Sequence, residues 1–132
     1  MPVLWRFRCY VSRSGVDEIR AAYDREARQA RNKFRSRLTM LAQLPYSQWN
    51  EKLYKHLRGD CAGLSEIRFE GDGVQQRPLG FRSAETEFTL LVWAHEVNDR
   101  WVPLSACETA LRRKTEVLED EDRAHALWFA LE

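Results

Sequence analysis

The sequence predicts an α+β fold, with a small, mostly antiparallel sheet packed by an N-terminal helical hairpin and a C-terminal helix. Three observations carry this. Between Leu57 and Val97, glycines and charged residues at Gly59-Asp60, Gly71-Asp72-Gly73 and Ser83-Ala84-Glu85 punctuate stretches that alternate or run apolar, the pattern of three consecutive antiparallel strands. Val16, Ile19, Tyr23, Ala27, Ala30, Phe34, Leu38 and Leu41 recur at spacings of three and four, the period of an amphipathic helix. Ala110, Leu111, Val117 and Leu118 mark another helix after Ser105.

Taken in order, Leu4 to Val11 alternates apolar with basic residues and predicts a first strand added to the sheet. Ser14 with Asp17 three residues on is a capping pattern, so a single long helix is expected to run from there to Leu44, ended by Pro45. Tyr46-Ser47-Gln48-Trp49 then opens a second, shorter helix with Trp49, Leu53 and Leu57 on one face, completing the hairpin.

In the meander, Asp72-Gly73 supplies the residue types that tolerate positive φ in a tight turn. Ile67 and Phe69 share one face of the first meander strand and Glu66 and Arg68 the other, because side chains alternate. Pro78 removes a ladder donor from the second strand and predicts a bulge or an unpaired position. Phe88 to His95 is apolar on both parities, as a central strand covered on both faces would be. Ser105-Ala106-Cys107-Glu108 is a second capping box, and the helix it opens should end near Asp120. Ala124 to Leu131 is apolar enough to fold back and pack. The expected divisions of a single domain over residues 1–132 are a first strand in 1–14, the helical hairpin in 15–58, the meander in 63–97, and the C-terminal helix and tail in 103–132.

With 132 residues, 44% hydrophobic and 31% charged, one core is expected and no second domain. Arg6 and Arg8 interrupt any signal-peptide run near the N-terminus and no stretch has membrane-spanning length, so a cytoplasmic protein is expected. Cys9, Cys61 and Cys107 are odd in number and widely spaced, and neither they nor His56, His95 and His125 form a metal-binding pair. Free thiols are expected, with no metal and no cofactor. The net charge of +1 conceals a balance of +8 over residues 1–58 and −7 over residues 59–132. A basic half can meet phosphate or an acidic partner, unless the halves interleave and cancel.

Leu57-Arg58-Gly59, Gly63-Leu64-Ser65-Glu66-Ile67-Arg68, Arg77-Pro78-Leu79-Gly80-Phe81, Leu90-Leu91-Val92-Trp93-Ala94-His95 and Ala110-Leu111-Arg112-Arg113 follow one another in that succession. From Leu44 to Leu118 the chain thereby resembles the RelE/HigB superfamily of type II toxin–antitoxin toxins, especially its phage-derived HigB-like branch. The resemblance implies a RelE-like element order β-α-α-β-β-β-α. It also implies a ribosome-dependent endoribonuclease that cleaves mRNA by attack of a 2′-OH on the adjacent phosphate, with a cognate antitoxin, the ribosome and mRNA as partners.

That chemistry needs a proton acceptor, positive charge around the phosphorane and a donor to the leaving 5′ oxygen. On the family template Arg68 and Arg77 are phosphate and transition-state ligands, and His95 is the acid or base. Arg100 is the one basic residue of a 96–103 loop that is lysine-rich in the phage-derived branch. Arg82, Lys55 and Arg58 are RNA-binding candidates, and Arg28, Arg31 and Arg35 offer a face to an acidic antitoxin. The same residues admit structural roles. Arg68 can pair with Glu87, Arg82 with Glu85, His95 can sit partly buried beside Trp93, and Arg77 can be a hairpin surface charge. Two other functions share the fold expectation: a ParE-like toxin that poisons gyrase, and a catalytically silent binding module.

Overall fold

The computed structural model describes residues 2–131; Met1 and Glu132, the ends of the expected 1–132 domain, lie outside the described residues. In chain order the elements are β1 (Arg6–Tyr10), α1 (Glu18–Arg25), α2 (Arg28–Ala42), β2 (Tyr54–His56), β3 (Ser65–Ile67), β4 (Phe69–Gly71), β5 (Val74–Ala84), β6 (Glu87–Val97), β7 (Arg100–Val102), α3 (Ala106–Glu119) and β8 (Ala124–Ala126). The eight strands form one mixed sheet in the order β2-β3-β5-β6-β1-β8, with β4 continuing the β3 side of β5 and β7 pairing the end of β6. Among the described residues only β1 and β6 pair in parallel. Among the described residues no helix is long and apolar enough to cross a membrane.

β6 is central, as its two-sided apolar pattern requires. Phe88, Leu90 and Trp93 enter a core shared with α1, α2 and β1, while Leu91, Val92 and Ala94 enter a second core under α3. Strict alternation cannot place Leu91 and Val92 on one face. A register shift resolves it: Leu79 pairs with Val92 and Gly80 with Leu90, so Leu91 is the extra residue of a bulge. Gly80 is required there, since a Cβ would fall 2.2 Å from Thr89 O. The bulge anticipated from Pro78 thus lies just past it, and Pro78 itself stays in register opposite Trp93.

The Asp72-Gly73 hairpin forms as expected, with φ of 58° and 70° joining Gly71 to Val74. Asn98 and Asp99, φ 50° and 62°, make the same kind of turn between Val97 and Arg100, so the segment 96–103 is a β6–β7 hairpin and not a loop.

The long helix is two helices. Glu26 and Ala27 are extended, with ψ of 155° and 154°, and the buried stripe of Ile19 and Tyr23 resumes at Ala30, Phe34, Leu38 and Leu41. The break turns the Glu26 carboxylate into the sheet, where Gln76 Nε2 donates to it at 2.9 Å and His95 Nε2 lies 2.9 Å from its other oxygen. Asp17, not Ser14, caps α1, accepting from Ile19 and Arg20 amides at 3.0 and 2.9 Å. Ser105 precedes α3 without a side-chain cap bond.

The expected second helix is also replaced. Tyr46–Gln48 makes one 3₁₀ turn, and Tyr54–His56 adds to the sheet edge as β2, because Trp49 is drawn under α2 by Nε1 donation to Leu41 O at 3.0 Å. The C-terminal tail returns as β8 against β1, and Trp128 packs edge-on against Tyr23 with ring centroids 5.1 Å apart.

Cys61 and Cys107 are bonded to each other, contrary to the expectation of three free thiols; Cys9 is free and buried. Spacing could not reveal this pair, because 46 residues separate them and only the packing of α3 on the sheet brings their Cα atoms to 5.3 Å. Closing a loop of that length stabilises the fold by about 4 kcal/mol in the chain-entropy description. Urea unfolding of the oxidised protein against the Cys61→Ser/Cys107→Ser variant should show a loss of that order. A loss below about 1 kcal/mol would mean that α3 packs equally well without the cross-link.

Candidate active site

α3 covers only part of its face of the sheet. Beyond it, strand alternation sets Lys55 of β2 opposite Glu66 of β3, and Arg77 and Glu96 on the same face of β5 and β6. Arg68 stands at the interruption between β3 and β4. Its N–H donates to Leu53 O at 2.8 Å, its carbonyl accepts from Arg37, and its own Nη1 reaches Glu51 O at 3.1 Å, so this residue is turned toward the β2 segment. Lys55, Glu66, Arg68, Glu96, Asp99, Arg100 and Trp101 line an open cleft of about 310 Å³.

Arg77 is the floor of this region. It is 4% exposed, and its Nε lies 2.9 Å from Glu66 and 3.1 Å from Glu96. Nη1 donates to Gln76 O at 2.9 Å and Nη2 to Gln75 Oε1 at 2.9 Å. A guanidinium so engaged is a counter-charge inside the protein, not a surface charge. Its Nε–H points at Glu96, which leaves Glu66 Oε2 buried beside a cation but without a hydrogen-bond donor. Burial therefore dominates the Glu66 carboxyl and raises its pKa above the ordinary value, against the pull of Arg77, Arg68 and Lys55 and with the push of Glu96. An ionisable group poised in this way inside a cleft is suited to proton transfer.

Of the residues expected at the catalytic site, Arg68 and Arg100 meet at this cleft with Lys55, and Arg77 lies below it. His95 does not join them. It points to the opposite face, onto Glu26, in a network completed by Gln76 and the Trp93 Nε1 donation to Gln76 Oε1 at 2.7 Å. Glu87, considered for Arg68, is taken by Arg6, and Arg82 donates to the Glu85 backbone at 3.0 Å through Nε. Arg82 also stacks 4.1 Å over Tyr46, and Arg58 borders a separate hollow with Tyr46 and His56. Arg28, Arg31 and Arg35 lie on α2, where Arg35 Nε donates to Tyr23 OH at 2.7 Å and its guanidinium sits 4.1 Å over Phe129. None of the three has an ion-pair partner among the described residues.

Glu66 lies on the charged face of the first meander strand, and no motif in the sequence marks it for a role. Its alternation with Ile67 was the available signal; its burial depends on Arg77, Glu96 and the β7 hairpin, which are remote in sequence.

No family model, no curated protein and no solved structure matches this chain.

Removing one partner of a buried ion pair strands the other, at about 3–5 kcal/mol. Arg77→Ala should therefore destabilise the fold by that amount in chemical denaturation, with Arg68→Ala within about 1 kcal/mol of wild type. Equal small effects at both positions would contradict the structural role of Arg77.

Proposed function

We propose that the chain is a RelE-like toxin of a type II toxin–antitoxin system, acting as a ribosome-dependent endoribonuclease with the cleft at Glu66 as its active site. The observation that carries the reading is a mostly buried carboxylate, ion-paired with Arg77 at 2.9 Å, at the wall of a cleft it shares with Lys55, Arg68 and Arg100. The order of the RelE/HigB-like motifs, and a mixed sheet in which β1 runs beside the last long strand, support it.

Glu66 takes the proton from the ribose 2′-OH as O2′ attacks the adjacent phosphorus. Arg68 and Arg100 neutralise the charge that grows on the phosphoryl oxygens. The P–O5′ bond breaks, and Lys55 protonates O5′, because the arginines do not give up a proton at physiological pH. The products are a 2′,3′-cyclic phosphate and a 5′-hydroxyl, and solvent exchange restores Glu66 and Lys55. Arg77 acts from beneath by holding Glu66 in place. The place of action is the cytoplasm, where reducing conditions open the Cys61–Cys107 bond seen in the structure.

A second reading, a catalytically silent binding module, is favoured by Glu96 and Asp99 on the rim, which repel phosphate. Induced expression in a bacterium, with growth followed alongside 5′-end mapping of mRNA, separates the two. Wild type should arrest growth with cuts inside translated codons, and Glu66→Gln should lower the cleavage rate by about 10²–10⁴. His95→Ala should cleave like wild type. With purified ribosomes, the acid limb of the rate profile should lie above the ordinary glutamate range, since Glu66 must be ionised to accept the proton and burial delays its ionisation. That limb should vanish in Glu66→Gln. Arrest without cleavage would shift the assignment to a ParE-like gyrase poison, and no arrest to the silent module.

The antitoxin's acidic segment is assigned to the α2 face. Replacing Arg28, Arg31 and Arg35 by glutamate should weaken the complex by at least tenfold in a titration at low salt. An unchanged affinity would place the antitoxin elsewhere.

A further inference from the structure

β2 is the edge strand of the sheet, and its two faces serve different spaces. Lys55 faces the cleft, while Tyr54 and His56 face a second hollow of about 280 Å³, lined also by Tyr46, Trp49, Arg58 and one acid, Glu51. Lys55 reaches the rim of both.

The second hollow contains a closed ring of hydrogen-bonding groups. Tyr46 OH lies 2.8 Å from Tyr54 OH, Tyr54 OH 2.9 Å from Ser65 Oγ, Ser65 Oγ 3.0 Å from His56 Nδ1, and His56 Nε2 3.0 Å from Tyr46 OH. Three hydroxyls and one imidazole N–H supply one hydrogen for each of the four links, so the ring can close in a single direction. Ser65 and Tyr54 are buried, and burial pushes the Tyr54 phenol well above its usual range. An exposed imidazole is thus held at both nitrogens by a rigid interior. Beside it the Arg82 guanidinium sits over Tyr46 at 4.1 Å and 5.4 Å from Trp5, with Nε and Nη2 tied to Glu85 O at 3.0 and 2.6 Å. Arg82 is itself exposed to solvent.

Fixed planar groups beside Lys55 and Arg58 match the recognition of unpaired nucleotides, whose bases stack on aromatic rings and guanidinium planes while cations hold the phosphate. In a duplex those base faces are not available. We propose that the hollow is a subsite for an unpaired RNA nucleotide next to the scissile bond, with the base on Arg82 and His56 and its phosphate between Arg58 and Lys55. RNA then crosses the β2 edge, with Lys55 shared between hollow and cleft. The inference rests on the reading of the cleft as a nuclease site for the identity of the neighbouring step, but not for binding itself.

The test uses the full chain and a short, mixed-sequence 2′-O-methyl RNA, which lacks the attacking hydroxyl, with binding read by fluorescence anisotropy. Wild type should bind the single strand more tightly than the same RNA as a duplex. Arg82→Ala, at an exposed position that leaves the ring intact, and His56→Ala should each weaken single-strand binding by about tenfold. Glu66→Gln should bind this RNA as wild type does, so loss of the nuclease reading leaves the binding result standing. No binding by wild type, equal binding of single strand and duplex, equal displacement by polyglutamate, or wild-type affinity in folded Arg82→Ala would each overturn the proposal.

Discussion

Arg77 is the charge around which the uncovered part of the sheet is arranged. A cation at 4% exposure is tolerated only with counter-charge and hydrogen bonds, and it draws both from separate strands: Glu66 from β3, Glu96 from β6, and backbone and amide oxygens from its neighbours. Each partner is thereby fixed in turn. Glu96 takes the Nε–H and Glu66 keeps a buried oxygen without a donor. The unusual carboxyl of the cleft is thus a by-product of burial beside that guanidinium, whose charge only partly offsets it.

β6 performs the corresponding task for the apolar part. Sandwiched between the helix pair and α3, it feeds two cores, and the single extra residue at Leu91 changes which side chains go to which. Without that residue, Trp93 would leave the aromatic group it shares with Phe34 and Phe69, and His95 would lose Glu26. The helix break at Glu26 is the matching adjustment on the opposite layer: one carboxylate joins the two helices to two adjacent strands. Gly71 allows the layers to come this close, since a Cβ there would stand 2.6 Å from Ala30 Cα. The acidic and basic parts of the chain interleave at some places, as Arg6–Glu87 and Arg113–Glu18 show, but the α2 arginines remain uncompensated among the described residues.

Much of the sheet was legible because its signals are local. Asp72-Gly73 can make a tight turn whatever surrounds it, and the two-sided apolar run of Phe88 to His95 has few placements other than a central strand. The helix break was not legible: two extended residues leave the seven-residue step from Tyr23 to Ala30 in phase, so periodicity is blind to them. Asn98-Asp99 makes the same kind of turn without a glycine, a weaker local signal than Asp72-Gly73. At the site, alternation placed Glu66 and Arg68 on one face and Lys55, Arg68 and Arg100 do converge, whereas His95 follows the other parity, which the bulge at Leu91 sets.

The Cys61–Cys107 bond has a mechanical side. It makes the segment from β3 through β7 a covalent loop with a sequence separation of 46 residues, so tension applied at the chain ends bypasses the central hairpin and Arg77, the floor of the cleft. About 160 Å of extended chain stays hidden from a pulling force until the bond is reduced. A processive unfolding machine must then either stall at α3 or draw two strands through its pore together, which ties the lifetime of this protein to the redox state around it.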